Sequence, residues 1–171
     1  VVDADTHITE WDDLWTSRAT PKYKDRVPQK RRVGDKRAWT LDVDHVMTGS
    51  FTSCAIRADG SKSKGDDYLT FDIPDIYKGA YDIPTRLKYM DDAGIAAQIS
   101  YPNVLGFGGQ RSAKVDPDLR LVSTRIFNDA MAEVQAQANN RIFPIALMPW
   151  WDVKEAVAEA RQFMKGRVRR G

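Results

Sequence analysis

Asp82-Ile83-Pro84-Thr85-Arg86-Leu87-Lys88-Tyr89-Met90-Asp91-Asp92-Ala93-Gly94, followed directly by Ile95-Ala96-Ala97-Gln98-Ile99-Ser100-Tyr101-Pro102, decides the fold class. The first part carries the signals of a helix: Asp82 is a natural N-cap, Pro84 falls in the first turn, Leu87 and Met90 are spaced for one buried face, and Gly94 supplies the stop. The second part is short, mostly apolar and ended by Pro102, as expected for a strand covered on both faces. The same cycle repeats downstream. Asp116-Pro117 opens a longer helix in which Leu119, Val122, Ile126, Ala130 and Val134 recur at three- and four-residue steps, closed by Asn139-Asn140. Ile142 to Met148 reads as the next strand, although Pro144 cannot donate to a ladder. Asp152-Val153-Lys154-Glu155 has the form of a capping box, and Ala156, Val157, Ala160, Phe163 and Met164 carry an apolar stripe to a stop at Gly166.

Upstream, Val1-Val2-Asp3-Ala4-Asp5 reads as a buried strand. Between it and Asp82 lies an insertion, about residues 11–80, rich in Lys, Arg, Asp, Gly and Ser. It holds a hairpin where Ala38-Trp39-Thr40-Leu41 precedes a turn at Asp42 to Asp44, and a mobile loop from Ala58 to Asp67. Three strand–helix units follow from this count, and such alternation is the signature of α/β architecture with a parallel sheet. A closed eight-unit barrel takes about 250 residues. Three units in 171 residues therefore predict a partial (β/α)8 barrel with a long insertion after the first strand, residues 1–171 being the N-terminal portion of one domain that continues past Gly171.

Composition narrows the function classes. Lys and Arg number 26 against 24 Asp and Glu, a formal charge of +2, and 42% of residues are apolar. No run approaches the roughly 18 apolar residues of a membrane-spanning helix, so no membrane partner is expected. The lone Cys54 rules out an internal disulfide and no signal-peptide pattern opens the chain, so a cytoplasmic, reducing compartment is the expectation. Near-balanced charge argues against a nucleic-acid partner, despite the clusters Lys30-Arg31-Arg32 and Arg167, Arg169, Arg170. A small-molecule substrate remains the expected partner.

The chemistry points to Asp3-Ala4-Asp5-Thr6-His7. On a regular strand Asp3, Asp5 and His7 point to one side, so a carboxylate and an imidazole two residues apart can grip one ion. They stand at the C-terminal end of the first strand, where barrel enzymes place their catalytic groups. Glu10 reads either as a neighbour or supporting partner of His7 or as an exposed surface carboxylate. Tyr101, Asn103, Phe107, Trp150 and Trp151 follow the second and third strands and read either as rims of a pocket or as loop packing, Trp151 also as a staple on the next helix. Gly106-Phe107-Gly108-Gly109 lacks the ending of a phosphate-binding loop and reads as flexible backbone.

The opening Val-Val-Asp-Ala-Asp-Thr-His-Ile-Thr-Glu, then Asp13-Leu14-Trp15 and Pro21-Lys22-Tyr23-Lys24-Asp25-Arg26, resembles the amidohydrolase-related family in its aminocarboxymuconate-semialdehyde-decarboxylase-like branch. Ala80-Tyr81-Asp82, Arg86-Leu87, Met90 to Ile95, Tyr101-Pro102-Asn103 with Phe107-Gly108-Gly109, Phe127-Asn128-Asp129, and Pro144 to Pro149 with Trp151-Asp152 are similar to segments of that family, in the same order over nearly the whole chain. The resemblance implies a metal-dependent hydrolase or decarboxylase holding one divalent ion, zinc or alternatively manganese, with Asp5 and His7 as the ligands from the first strand. The remaining ligands and the catalytic histidine would lie beyond Gly171, and His45, in the insertion, takes no role. Asp5 in place of a neutral imidazole would weaken the ion's Lewis acidity while leaving it able to anchor an anion, which is compatible with decarboxylation as well as hydrolysis. The expected function is an N-terminal fragment of such an enzyme acting on a small carboxylate or amide-type substrate, homo-oligomeric when full length. The isolated chain would be inactive and self-associating through its open sheet edge. The alternative is a catalytically inactive truncated homologue serving as a scaffold or interaction module.

Overall fold

Capping decides where each helix begins. Asp82 accepts a hydrogen bond from the Thr85 amide at 3.0 Å with Pro84 in the first turn, so α1 runs Ile83–Asp92; Gly94, at φ 66°, follows it. Asp116 caps α2, Pro117–Gln137, by accepting from the Asp118 amide at 2.9 Å, and Asn139 and Asn140 turn the chain away at φ 50° and 56°. Asp152 accepts from the Glu155 amide at 3.1 Å at the start of α3, Val153–Val168, which continues through the stop predicted at Gly166. The computed structural model describes residues 1–106 and 109–168, without the side chains of 165–168.

The strands are β1 Val2–His7, β2 Gln29–Val33, β3 Lys36–Leu41, β4 His45–Thr48, β5 Ala97–Tyr101 and β6 Ile142–Pro144. β1, β5 and β6 form a parallel sheet in that order, with α1 and α2 as the helical connections into β5 and β6. The architecture is mixed α/β. Inside the insertion β2, β3 and β4 make an antiparallel meander; the predicted turn joins β3 to β4 with Asp42 at φ 62°. β2 escapes a reading by hydrophobic pattern because its sequence is Gln-Lys-Arg-Arg-Val. Lys30 in it is 4% exposed, pairs with Asp12 at 2.6 Å and with Asp72, and lies over the rings of Trp39 and Phe51. That charge is consumed inside the fold. The loop predicted from Ala58 to Asp67 is tied down by the bridge Ile56–Lys62.

Three expectations need correction. The Val1 to Asp5 strand is not buried: Val2 is 62% exposed and Asp5 is exposed, because β1 is paired on one side only and forms an edge of the sheet among the described residues. β5, read as covered on both faces, buries Gln98 and Ser100 while Ala97, Ile99 and Tyr101 on its other face are half-buried. The strand read from Ile142 to Met148 stops at Pro144. Ile145 still donates to Ser100 O at 2.8 Å, but both backbone groups of Leu147 are taken by the side chain of Asn128 on α2, which accepts from its amide at 2.8 Å and donates to its carbonyl at 2.9 Å. A side chain that satisfies both groups of a residue removes it from the ladder.

The insertion and the sheet share one core. Leu14, Trp15, Val27, Trp39, Leu41 and Met47 pack in the same cluster as Leu119, Phe127, Met131 and Val134 of α2 and Ile142 of β6. A smaller cluster of Phe71, Ile76 and Ala80 lies beside Cys54, Tyr68 and Tyr81. No helix among the described residues is long and apolar enough to cross a membrane.

Candidate functional site

The pairing of β1 with β5 sets the direction of every side chain at the strand end. Asp3 is opposite Gln98 and Thr6 opposite Ser100, so three steps on β1 match two on β5 and a bulge falls across Ala4 and Asp5. Alternation therefore breaks: Asp3 lies on the face of Gln98, whose Nε2 donates to it at 3.2 Å, whereas His7 pairs with Tyr101 on the opposite face. The prediction that Asp3, Asp5 and His7 share one side is wrong for Asp3. Asp3, Asp5 and His7 nevertheless all line the same cavity of about 660 Å³, together with Thr9, Cys54, Tyr77 and Arg86. The rings of His7 and Tyr101 stand 6.0 Å apart. Among the described residues no group of three His, Cys, Asp or Glu is placed to hold a metal, so the pair offers two donors.

Arg86 holds this strand end in place. It is 8% exposed, on the face of α1 that also buries Ile83 and Met90. Its five N–H groups reach Gln98 Oε1 at 2.9 Å, Thr6 Oγ1 at 3.0 Å, Gly79 O at 3.2 Å, and His7 O at 2.9 Å from both terminal nitrogens. Burial lowers its pKa from the ordinary arginine value, and Cys54 and Asp3 oppose that shift. The sequence signal was available: an arginine at the i+3 position of a buried helical face needs acceptors.

Glu10 is not on the surface. It is 1% exposed and accepts from the amides of Asn103 at 2.8 Å and Val104 at 3.2 Å and from Asn103 Nδ2 at 2.9 Å. Asn103 in turn donates to Ile8 O at 2.8 Å and accepts from the Ser53 hydroxyl. The two residues lock the chain after β1 to the chain after β5. Burial pushes the Glu10 carboxyl above its usual range, outweighing the Asn103 and Val104 donors that favour the charged form. The folded chain then binds that proton more tightly than the unfolded chain. Glu10's contribution to stability is full below the ordinary carboxylate pKa and is lost as pH rises through the raised value. Glu10→Gln sets an amide NH₂ against N–H donors and is expected to lower stability by about 1–3 kcal/mol. In urea melts the gap between wild type and variant is expected to narrow as pH rises above the ordinary carboxylate range; a gap that widens would contradict the raised carboxyl.

The other predicted residues part company. Tyr101 is half-buried beside His7. Trp150 is 56% exposed, edge-on to Trp151 at 5.6 Å, and lines a different cavity from Asp5 and His7. Phe107 and Gly108 lie outside the described residues. His45 Nε2 contacts Arg111 O at 2.6 Å, tying the meander to the segment before α2.

No family model and no curated protein matches the sequence. Among solved structures, the chain is similar to a crystal structure of an amidohydrolase from Mycobacterium avium subsp. paratuberculosis K-10, at 19% identity and a TM-score of 0.69, over 97% of this chain and 47% of that one. The chain spans about half the length of that structure and shares its fold over the aligned span.

Proposed function

We propose that the chain is part of a metal-dependent hydrolase or carboxy-lyase barrel, of the aminocarboxymuconate-semialdehyde-decarboxylase-like branch, acting on a small carboxylate or amide-type substrate. The observation that carries this reading is the placement of Asp5 and His7 at the C-terminal end of β1, lining one cavity, in an amidohydrolase-related fold. Their donor chemistry fits a divalent ion: a carboxylate oxygen and an imidazole nitrogen from one strand end. Such an ion supplies Lewis acidity and an anchor for an anionic oxygen when bound. Asp5, exposed beside the bulge, lines the cavity with His7, while Asp3, which lines it too, accepts from Gln98 Nε2 and from the Asp5 amide at 3.3 Å. Arg86, through the His7 carbonyl, fixes the backbone from which the imidazole projects. With two donors from these residues, the 171-residue chain alone is expected to be inactive, and the same count favours the second reading, an inactive scaffold.

Metal analysis by plasma mass spectrometry on the polypeptide encoded by the whole gene separates the two. One equivalent of zinc or manganese is expected, with Asp5→Asn and His7→Ala each losing about tenfold or more in affinity. A metal-free protein, or variants that retain the ion, would favour the scaffold.

A further inference from the structure

Arg86 and Arg120 are equally buried, each 8% exposed, but only one of them is satisfied. Every N–H of Arg86 has an oxygen. Among the described residues the Arg120 side chain has no hydrogen bond and no ion pair, and its Nε is sealed from solvent without a partner. Its guanidinium carbon lies 4.3 Å from the centre of the Trp151 ring. A cation over an aromatic face is attracted to it without spending its hydrogen-bond donors, so the terminal N–H groups, unlike the sealed Nε, stay available. A buried cation left in that state costs several kcal/mol unless an anion or solvent in an adjoining space completes it.

The adjoining space is a cavity of about 340 Å³ lined by Arg120, Trp150, Trp151, Gln110, Ser112 and Thr124 among others, and no Asp or Glu among the described residues lines it. One guanidinium matches one negative charge, and its planar fork matches the two oxygens of a carboxylate. The indoles of Trp150 and Trp151, edge to face at 87°, give the cavity aromatic walls, and Arg120 is the one cationic residue lining it among the described residues, which disfavours a bare multivalent anion. We propose that this cavity binds a small organic monocarboxylate with a flat apolar body, the carboxylate on the terminal N–H groups of Arg120 and the body against Trp150 and Trp151. None of the six named residues lines the cavity of Asp5 and His7, so the proposal does not depend on the metal reading.

Titration calorimetry with benzoate, its neutral isostere benzamide and inorganic phosphate tests it, alongside two-dimensional NMR of the tryptophan indole N–H resonances. Benzoate is expected to bind one-to-one and about tenfold or more tighter than benzamide or phosphate, to shift the Trp150 and Trp151 indole signals, and to lose about tenfold in Arg120→Gln. Should Arg120→Gln fail to fold, the ligand comparison and the indole shifts on the wild-type chain decide the matter. Equal binding of benzoate and benzamide, phosphate as tight as benzoate, unmoved indole signals, an unaffected Arg120→Gln or no saturable binding would each overturn the proposal.

Discussion

Trp15→Ala is expected to lower the unfolding free energy by about 3–5 kcal/mol. Trp15 is fully buried where the segment after β1, the meander and α2 meet. Its ring stands edge-on to Trp39 at 5.4 Å and stacks near Phe127 at 6.3 Å, and its Nε1 donates to Ser123 O at 3.0 Å. Truncation removes the largest apolar contact shared by these three elements and opens a cavity between a helix and a sheet that cannot close independently. Domains of this kind are stable by only about 5–15 kcal/mol, so the loss would be a large fraction of the total. Trp15→Phe keeps the ring packing, loses the N–H donor and is expected to cost about 1–3 kcal/mol. Urea unfolding followed by circular dichroism measures both; a Trp15→Ala loss below that of Trp15→Phe would show that the insertion does not share the core.

Arg86→Met is the second large effect, about 3–5 kcal/mol. Two terms oppose each other. Removing the cation relieves the desolvation of a charge whose nearest carboxylate, Asp3, is reached only through Gln98. Against that, the carbonyls of His7 and Gly79 and the side chains of Thr6 and Gln98 lose their donors at about 1–3 kcal/mol each where they stay dry. Four lost donors outweigh one relieved charge, so the net is destabilising. Arg86→Lys keeps the charge but cannot span α1, β1 and β5 at once, and should fall between wild type and Met. Hydrogen exchange adds a readout specific to position: the amides linking β1 to β5 near Thr6 and His7 should lose protection first. Uniform loss across both sheets, or none, would show that Arg86 does not hold the strand end.

The helices were legible because their signals act over one turn. Asp82, Asp116 and Asp152 cap the helices they were expected to cap, and no distant residue competes for those carboxylates strongly enough to move a boundary. The strand ends were less legible. The run Ile142 to Met148 is apolar enough to continue a strand, but Asn128 claims both backbone groups of Leu147 across α2, and a pattern read along the chain does not reveal that competitor. The bulge at Ala4 and Asp5 likewise leaves no mark in composition. It appears only when β1 is laid against β5, and it puts Asp3 and His7 on opposite faces of the sheet. Glu10 was ambiguous for the same reason, since its burial depends on Asn103, 93 positions away.

By itself the sequence determined the three helices, the α/β class and which strand end carries a carboxylate and an imidazole two residues apart, because caps, periodicity and donor chemistry are properties of neighbours. Only the tertiary structure decided which side chains share a cavity, which carboxylate is buried and which of two buried arginines lacks an acceptor. Those outcomes depend on groups roughly 80–90 positions apart meeting at fixed distances, and burial converts each meeting, or its absence, into free energy.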